Sequence, residues 1–371
     1  LNSQPIDFAA TEGLQLALPD PNCGIRLKVG GVPSYARAMS DHKTSFGLTL
    51  SNRALVTRGT PPKQLIDMAV EAEDAGAIDA VWVGDSILSK PRLECVPLLG
   101  AIAARTSRVK LGVACMATIA QRNPVLLALQ WASLDVLSGG RTWLAACMGY
   151  PASQHPMAAR ELEVMGVASK ERPARLEEMI QALRVLWSDE QASFHGKYYS
   201  FDEVNLLPKP LQQPCPIYIA GTPRPSQIGV RGVERSLRRI ARLADGWMTN
   251  QIEVAMFQDY AGRLRKMLVE EGRDPNRFKT VLYYGVCVNS DRERAFRQAK
   301  AFLDAYYQKD FTRQGVEIWT ACGPVEHCID RLREFIRAGI DHIAIRPIGE
   351  DLNEQFRIFL QEIVSAFDSS S

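Results

Sequence analysis

VKLGVACMATIAQRNPVLLALQWASLDVLSGGRTWLAACMG, residues 109–149, is the stretch on which the fold turns. Val109 to Cys115 is a short apolar run, the pattern of a strand buried on both faces. Asn123-Pro124 supplies a helix start, because asparagine caps and proline is pre-set for the first turn. Val125, Leu126, Leu129, Trp131, Ala132, Leu134, Val136 and Leu137 give that helix a broad apolar face for packing on a sheet. Ser138-Gly139-Gly140 stops it, and residues 141–147 return as a second strand. Two parallel strands with a crossover helix make a βαβ unit. The residues that matter for function sit where each strand ends: Ala114-Cys115 after the first, Cys147-Met148-Gly149 after the second.

The totals narrow the classes of protein to consider. The chain has 371 residues, 46% hydrophobic and 23% charged, ordinary values for a globular protein. A net charge of +2 argues against nucleic acid or a membrane surface as the main partner. No apolar run approaches the roughly 20 residues of a membrane span. The eight cysteines are scattered with no CxxC, which suits free thiols in a reducing, cytoplasmic compartment. Cys322, His327 and Cys328 lie close together, but no second ligand pair completes a zinc site, so no metal is expected.

Outward from the opening unit, the punctuation repeats. FGLTL (46–50) reads as a first strand, DAVWVG (79–84) as the second, PIYIAG (216–221) as the fifth and residues 245–249 as the sixth. Residues 280–288 and 341–347 read as strands seven and eight, and a helix follows each strand. This predicts an α/β fold of the TIM type, a (β/α)8 barrel spanning residues 46–371. A doubly wound open sheet is the alternative, weakened because no GxGxxG follows any strand. Insertions are expected after strand four (150–170) and strand seven (309–323, read as loop), with a hairpin-like aromatic segment, FHGKYYSF, before strand five. Residues 1–45, rich in proline and glycine and without sustained periodicity, read as an N-terminal extension lacking a secretory signal pattern.

In such a barrel the active face lies at the C-terminal ends of the strands. The residues there are Ser51, Asn52, Asp85, Ser86, Ala114, Cys115, Cys147 to Tyr150, Gly221, Thr222, Thr249, Asn250, Cys287 and Arg346. Histidines and paired carboxylates are missing, which excludes a metal hydrolase, and no Ser-His-Asp set is evident. A small, weakly polar, thiol-bearing rim suits a flat ligand lying over the strand ends.

AEDAGAIDAVWVGD (72–85), RVKLGVACMATIAQRNPVLLALQWASLDVLSGGR (108–141), FHGKYYSF (194–201) and RRIARLADGW (238–247) together resemble the bacterial luciferase-like flavin monooxygenase superfamily, in order over residues 46–367. That resemblance implies a TIM-type barrel binding reduced FMN or, in one branch, the 8-hydroxy-5-deazaflavin coenzyme F420. It implies a non-proline cis peptide at Ala114-Cys115, forming a bulge behind the flavin ring, with Cys147 close to the ring. Met148 stands where luciferases place a phosphate-binding arginine, so the phosphate contacts are expected at Gly221, Thr222 and Arg224 in the loop after strand five. Ser153 and Gln154 occupy a stretch where relatives contact the ring. Family members carry a histidine after the acidic residue of strand two; here Ser86 follows Asp85 and cannot do acid–base work. Asp85, Cys147 and His155, the last in the strand-four insertion, are therefore the candidate catalytic groups.

The resulting expectation is a two-component monooxygenase. It would take reduced FMN from a separate flavin reductase and use oxygen on a small organic substrate, the protein acting as a homo-oligomer such as a dimer. One alternative is a deazaflavin-dependent dehydrogenase or reductase, which transfers hydride without oxygen. Another is a non-catalytic flavin-binding paralogue.

Overall fold

The computed structural model describes residues 43–153 and 155–368. The expected extension falls outside them except for residues 43–45, as does Gln154. Among the described residues there are eleven strands: β1 (Ser45–Thr49), β2 (Ala80–Val83), β3 (Lys110–Met116), β4 (Thr142–Ala146), β5 (Ala192–His195), β6 (Ser200–Val204), β7 (Ile217–Ala220), β8 (Gly246–Asn250), β9 (Lys279–Val288), β10 (Thr320–Gly323) and β11 (His342–Pro347). Eight of them close a parallel barrel in the order β9-β11-β1-β2-β3-β4-β7-β8, and β8 returns to β9. The fold is the expected TIM-type barrel.

Local chemistry accounts for the opening unit as read. Asn123 accepts the N–H of Leu126 at 3.1 Å, Pro124 opens the helix Pro124–Leu137, and Gly139 and Gly140 follow it with φ of 67° and 80°. The polar residues of LDVLSGGR face inward at the base. Asp135 accepts from the Thr142 hydroxyl at 2.7 Å and from Gln212, while buried Arg141 donates to the carbonyls of Val109, Thr106, Ala103 and Ser138. These bonds satisfy backbone groups that the barrel floor would otherwise bury without partners.

Aromatic side chains fill the barrel interior. Trp82 donates to His342 Nε2 at 3.0 Å, and His342 Nδ1 lies 2.7 Å from the Ser45 hydroxyl. Burial holds the imidazole neutral, with its pKa pushed down to about 3. The large rings fit because β1 and β3 present glycines there: a Cβ on Gly47 would lie 2.6 Å from His342 Nε2, and one on Gly112 would lie 2.1 Å from the Trp82 ring.

Two expectations are corrected. Residues 309–323 are not loop: Thr312 caps a helix, Arg313–Trp319, and β10 follows it, pairing in parallel with residues 285–288 of β9. The ten-residue β9 outruns β8, whose pairing ends at Tyr283, so its upper half has room for another strand. Nor are all the cysteines free, since Cys115 and Cys147 form a disulfide with Cα atoms 6.0 Å apart. The register between β3 and β4 shifts after Ala114, which turns Cys115 out of the ladder beside Cys147. The insertion after β4 carries the helix Pro156–Val164, and β5–β6 is the expected hairpin.

Candidate active site

The mouth of the barrel has two unlike halves. Along the ends of β3, β4 and β7 the side chains are small: Ala114, Cys115, Ala146, Cys147, Ala220 and Gly221. Ala114-Cys115 is a cis peptide, as the resemblance implied. A Cβ built on Gly221 would meet nothing within 4 Å, so the rim is open there. Behind it, Arg172 Nη1 donates to the carbonyls of Met148 and Tyr150 at 2.8 and 2.7 Å and fixes the turn after β4. This half has the room and the shallow relief that a flat tricyclic ring needs.

The expected phosphate loop is already engaged. The Gly221 N–H donates to the Met248 carbonyl at 2.9 Å, and the Thr222 hydroxyl contacts Thr249 Oγ1 and the Asn250 carbonyl. Arg224 donates to the Gln251 carbonyl, and Pro223 and Pro225 bring no N–H. This loop therefore offers fewer free donors than its glycine and hydroxyl suggested.

Asp85 is likewise committed. One oxygen accepts the N–H and hydroxyl of Thr118 at 2.8 and 2.7 Å, and the other accepts Arg122 Nη2 at 2.9 Å. At 5% exposed it ties the loop after β2 to the loop after β3. Arg122 also bridges Glu94, so the Asp85–Glu94–Cys95 cluster already has its cation. Ser153 is exposed. His155 lies 4% exposed at the start of the helix Pro156–Val164, where its Nδ1 accepts the Ala158 N–H at 3.3 Å. Its Nε2 has no partner. Burial, then Lys90 and Arg53, lower its pKa and keep the ring neutral.

The opposite half, at the ends of β1, β2, β9 and β11, is crowded with rings and cations. Tyr306 sits at its centre, 5.5 Å from Arg53, 5.5 Å from Arg92 and 4.6 Å from Arg346, measured from guanidinium carbon to ring centroid. Arg346 also lies 5.1 Å from the Tyr283 ring, and Lys90 lies 4.9 Å from that of Tyr307 and 5.1 Å from that of Tyr150. Arg92 Nη1 donates to the Tyr306 hydroxyl at 3.0 Å. Burial opposes ionisation of Tyr306, but Arg346, Arg92 and Lys90 outweigh it and bring the hydroxyl down to about 6. Burial, against the pull of Tyr306 and aided by Arg92, Arg346 and Arg53, brings Lys90 down to about 8. Of this cluster only Arg346 was legible as a strand-end residue. Arg53, Lys90, Arg92 and Tyr306 lie in loops or at a helix end, and the one hint was the paired tyrosine at 306–307.

Residues 44–342 match the family model described as luciferase-like monooxygenase. The chain belongs to this family. It is an oxidoreductase of the luciferase-like barrel type, within which relatives divide by cofactor. It is 26% identical over 329 residues to an F420-dependent glucose-6-phosphate dehydrogenase of Nakamurella multipartita, covering 82% of this chain and 92% of the relative. To the protein of the same name from Kineococcus radiotolerans it is 32% identical over 328 residues, with the same coverage. A solved F420-dependent secondary alcohol dehydrogenase, in complex with an F420-acetone adduct, has the same fold with a TM-score of 0.71. Its identity is 20%, over 86% of this chain and 98% of its own. The relatives overturn the expectation of an FMN- and oxygen-using monooxygenase: both are named for the deazaflavin coenzyme and for a dehydrogenation. Among the described residues no helix is long and apolar enough to cross a membrane.

Proposed function

We propose that this chain is a deazaflavin-dependent oxidoreductase, moving a hydride between the coenzyme and a small organic substrate without oxygen. The observation that carries this reading is the alignment, along four-fifths of the chain, with relatives named for that coenzyme. The geometry supports it through the small rim at Ala114, Cys115, Cys147, Ala220 and Gly221, which fits a flat ring. Thr222 and Arg224 reach a phosphate if their present loop bonds open.

When bound, the deazaflavin supplies the hydride-carrying ring carbon, and the protein's work is to orient substrate and handle the proton. His155 suits a donor's role: with Nδ1 accepting from Ala158, the neutral ring carries its proton on Nε2. Tyr283, Tyr306 and Tyr307 are buried, so polar contacts made at that half of the mouth act in a low dielectric.

Spectral titration of the purified protein with the deazaflavin, and separately with FMN, tests the reading. Saturable deazaflavin binding that Ala220→Trp abolishes without changing thermal unfolding is the expected result. Absence of deazaflavin binding overturns it.

A further inference from the structure

The cation cluster holds more positive charge than the fold neutralises. Arg53, Arg92 and Arg346 are guanidinium cations, and Lys90 is charged below about 8. Among the described residues, none of the four forms an ion pair with a carboxylate. The internal counter-charge is the Tyr306 hydroxyl, which supplies one negative charge at most.

The donors are also unfilled. Arg346 is 2% exposed, and none of its three guanidinium nitrogens has an acceptor in good hydrogen-bond geometry, Tyr306 being its near neighbour. Nε of Arg53, Nη2 of Arg92 and Nε2 of His155 are buried without partners as well. Buried polar atoms are ordinarily satisfied, and orphaned charged donors are costly. The arginines converge on Tyr306 from three separate segments, after β1, after β2 and in β11, while His155 stands 5.5 Å from the Tyr150 ring. Tyr306 also lines a cavity of about 580 Å³ whose wall carries Arg58, Arg297 and the Arg294–Glu350 ion pair, a net positive lining beside the cluster.

We propose that Arg53, Lys90, Arg92 and Arg346 form a subsite for an oxyanion, a carboxylate or phosphate group carried by the substrate. Calling its bearer the substrate rests on the deazaflavin reading. Planar guanidinium forks match both oxyanions, and the surrounding tyrosine faces hold the cations in place while the subsite is empty. An arriving oxyanion takes over the counter-charge that Tyr306 supplies, so Tyr306 gains a proton as the anion binds.

The test is calorimetric titration of the full chain, without coenzyme, using inorganic phosphate and separately acetate. Saturable one-to-one binding of at least one probe is expected, weakened about tenfold or more by Lys90→Gln and by Arg92→Gln, as loss of a charge-assisted bond predicts. Lys63→Gln, a surface change, should leave it intact. Tighter phosphate binding identifies a phosphorylated substrate, and tighter acetate binding a carboxylic acid. The near-ultraviolet tyrosinate band should fall as the probe is added, and Tyr306→Phe should remove that signal. Arg346 is wholly interior, so Arg346→Gln is read alongside its thermal unfolding, and the half-buried Lys90 and Arg92 decide the outcome. Binding of neither probe, or binding that both Lys90→Gln and Arg92→Gln leave unchanged, overturns the subsite. Absence of deazaflavin binding with probe binding intact would leave the oxyanion subsite standing and overturn only its assignment to a substrate of hydride transfer.

Discussion

One carboxylate oxygen of Glu161 accepts the backbone N–H of Leu88 at 2.6 Å, and the same oxygen takes those of Ile87 and Ser89 at 3.0 and 2.8 Å. The insertion helix Pro156–Val164 thereby holds the loop after β2, which carries Lys90 and Arg92 into the cation cluster. Burial raises the Glu161 pKa, but the N–H groups of Ser89 and Leu88 and the amide of Gln121 outweigh it and leave the net shift downward. Its contribution to stability is thus present above the ordinary carboxylate range and lost as pH falls through the lowered value. Glu161→Ala should cost about 2 kcal/mol, because it strands three backbone donors, one buried and two part-buried. Chemical denaturation would measure the loss, and hydrogen exchange should quicken first at residues 87–89.

Tyr306 should titrate far below other tyrosines. A near-ultraviolet pH titration is expected to show one phenol ionising near pH 6, absent in Tyr306→Phe. The unfolded value is about 10, so folding should gain stability from Tyr306 as pH rises from 6 towards 10 and lose that contribution as pH falls through 6. A wild-type titration identical to that of Tyr306→Phe would contradict the electrostatic picture of the cluster.

His342 gives a separate acid response. Its imidazole is neutral in the fold and would take a proton at about 6.5 once unfolded, so the unfolded chain binds the extra proton between pH 6.5 and 3. Stability should therefore decline as pH drops through that window. His342→Gln should flatten the decline while lowering stability at neutral pH by about 1–2 kcal/mol through poorer contacts to Trp82 and Ser45. Urea midpoints at several pH values would distinguish the two curves.

Peptide mapping without reductant should recover Cys115 and Cys147 in one linked pair, and alkylation should label both only after reduction. Cys95, Cys215, Cys287, Cys322 and Cys328 should label only on unfolding, since each is a buried free thiol. Because the linked pair forms part of the small rim, Cys147→Phe should weaken deazaflavin binding tenfold or more, about 1.4 kcal/mol, by filling space rather than by removing chemistry. Unchanged binding would place the ring elsewhere in the mouth.

The strands, helices and their caps were legible in the sequence because they depend on neighbours a few positions apart. Asn123-Pro124 and Gly139-Gly140 bound their helix whatever surrounds it, and eight such units leave little besides a closed barrel. The stretch that identifies the family, LDVLSGGR, turns out to be scaffold: Asp135 and Arg141 secure the floor, far from the chemistry at the mouth. Residues 309–323 misled because a seven-residue helix and a four-residue strand are too short for a periodic signal.

The sequence by itself determined the barrel, the opening βαβ unit and the small residues at the ends of β3, β4 and β7. Only the tertiary structure decided that Asp85 is a tether, that Cys115 meets Cys147, and that Arg53 and Arg92 reach Tyr306. Arg53 and Tyr306 stand 253 positions apart, and Arg92 and Tyr306 stand 214 apart. Their meeting depends on barrel closure between β1 and β11, a long-range event that no local pattern of residues records.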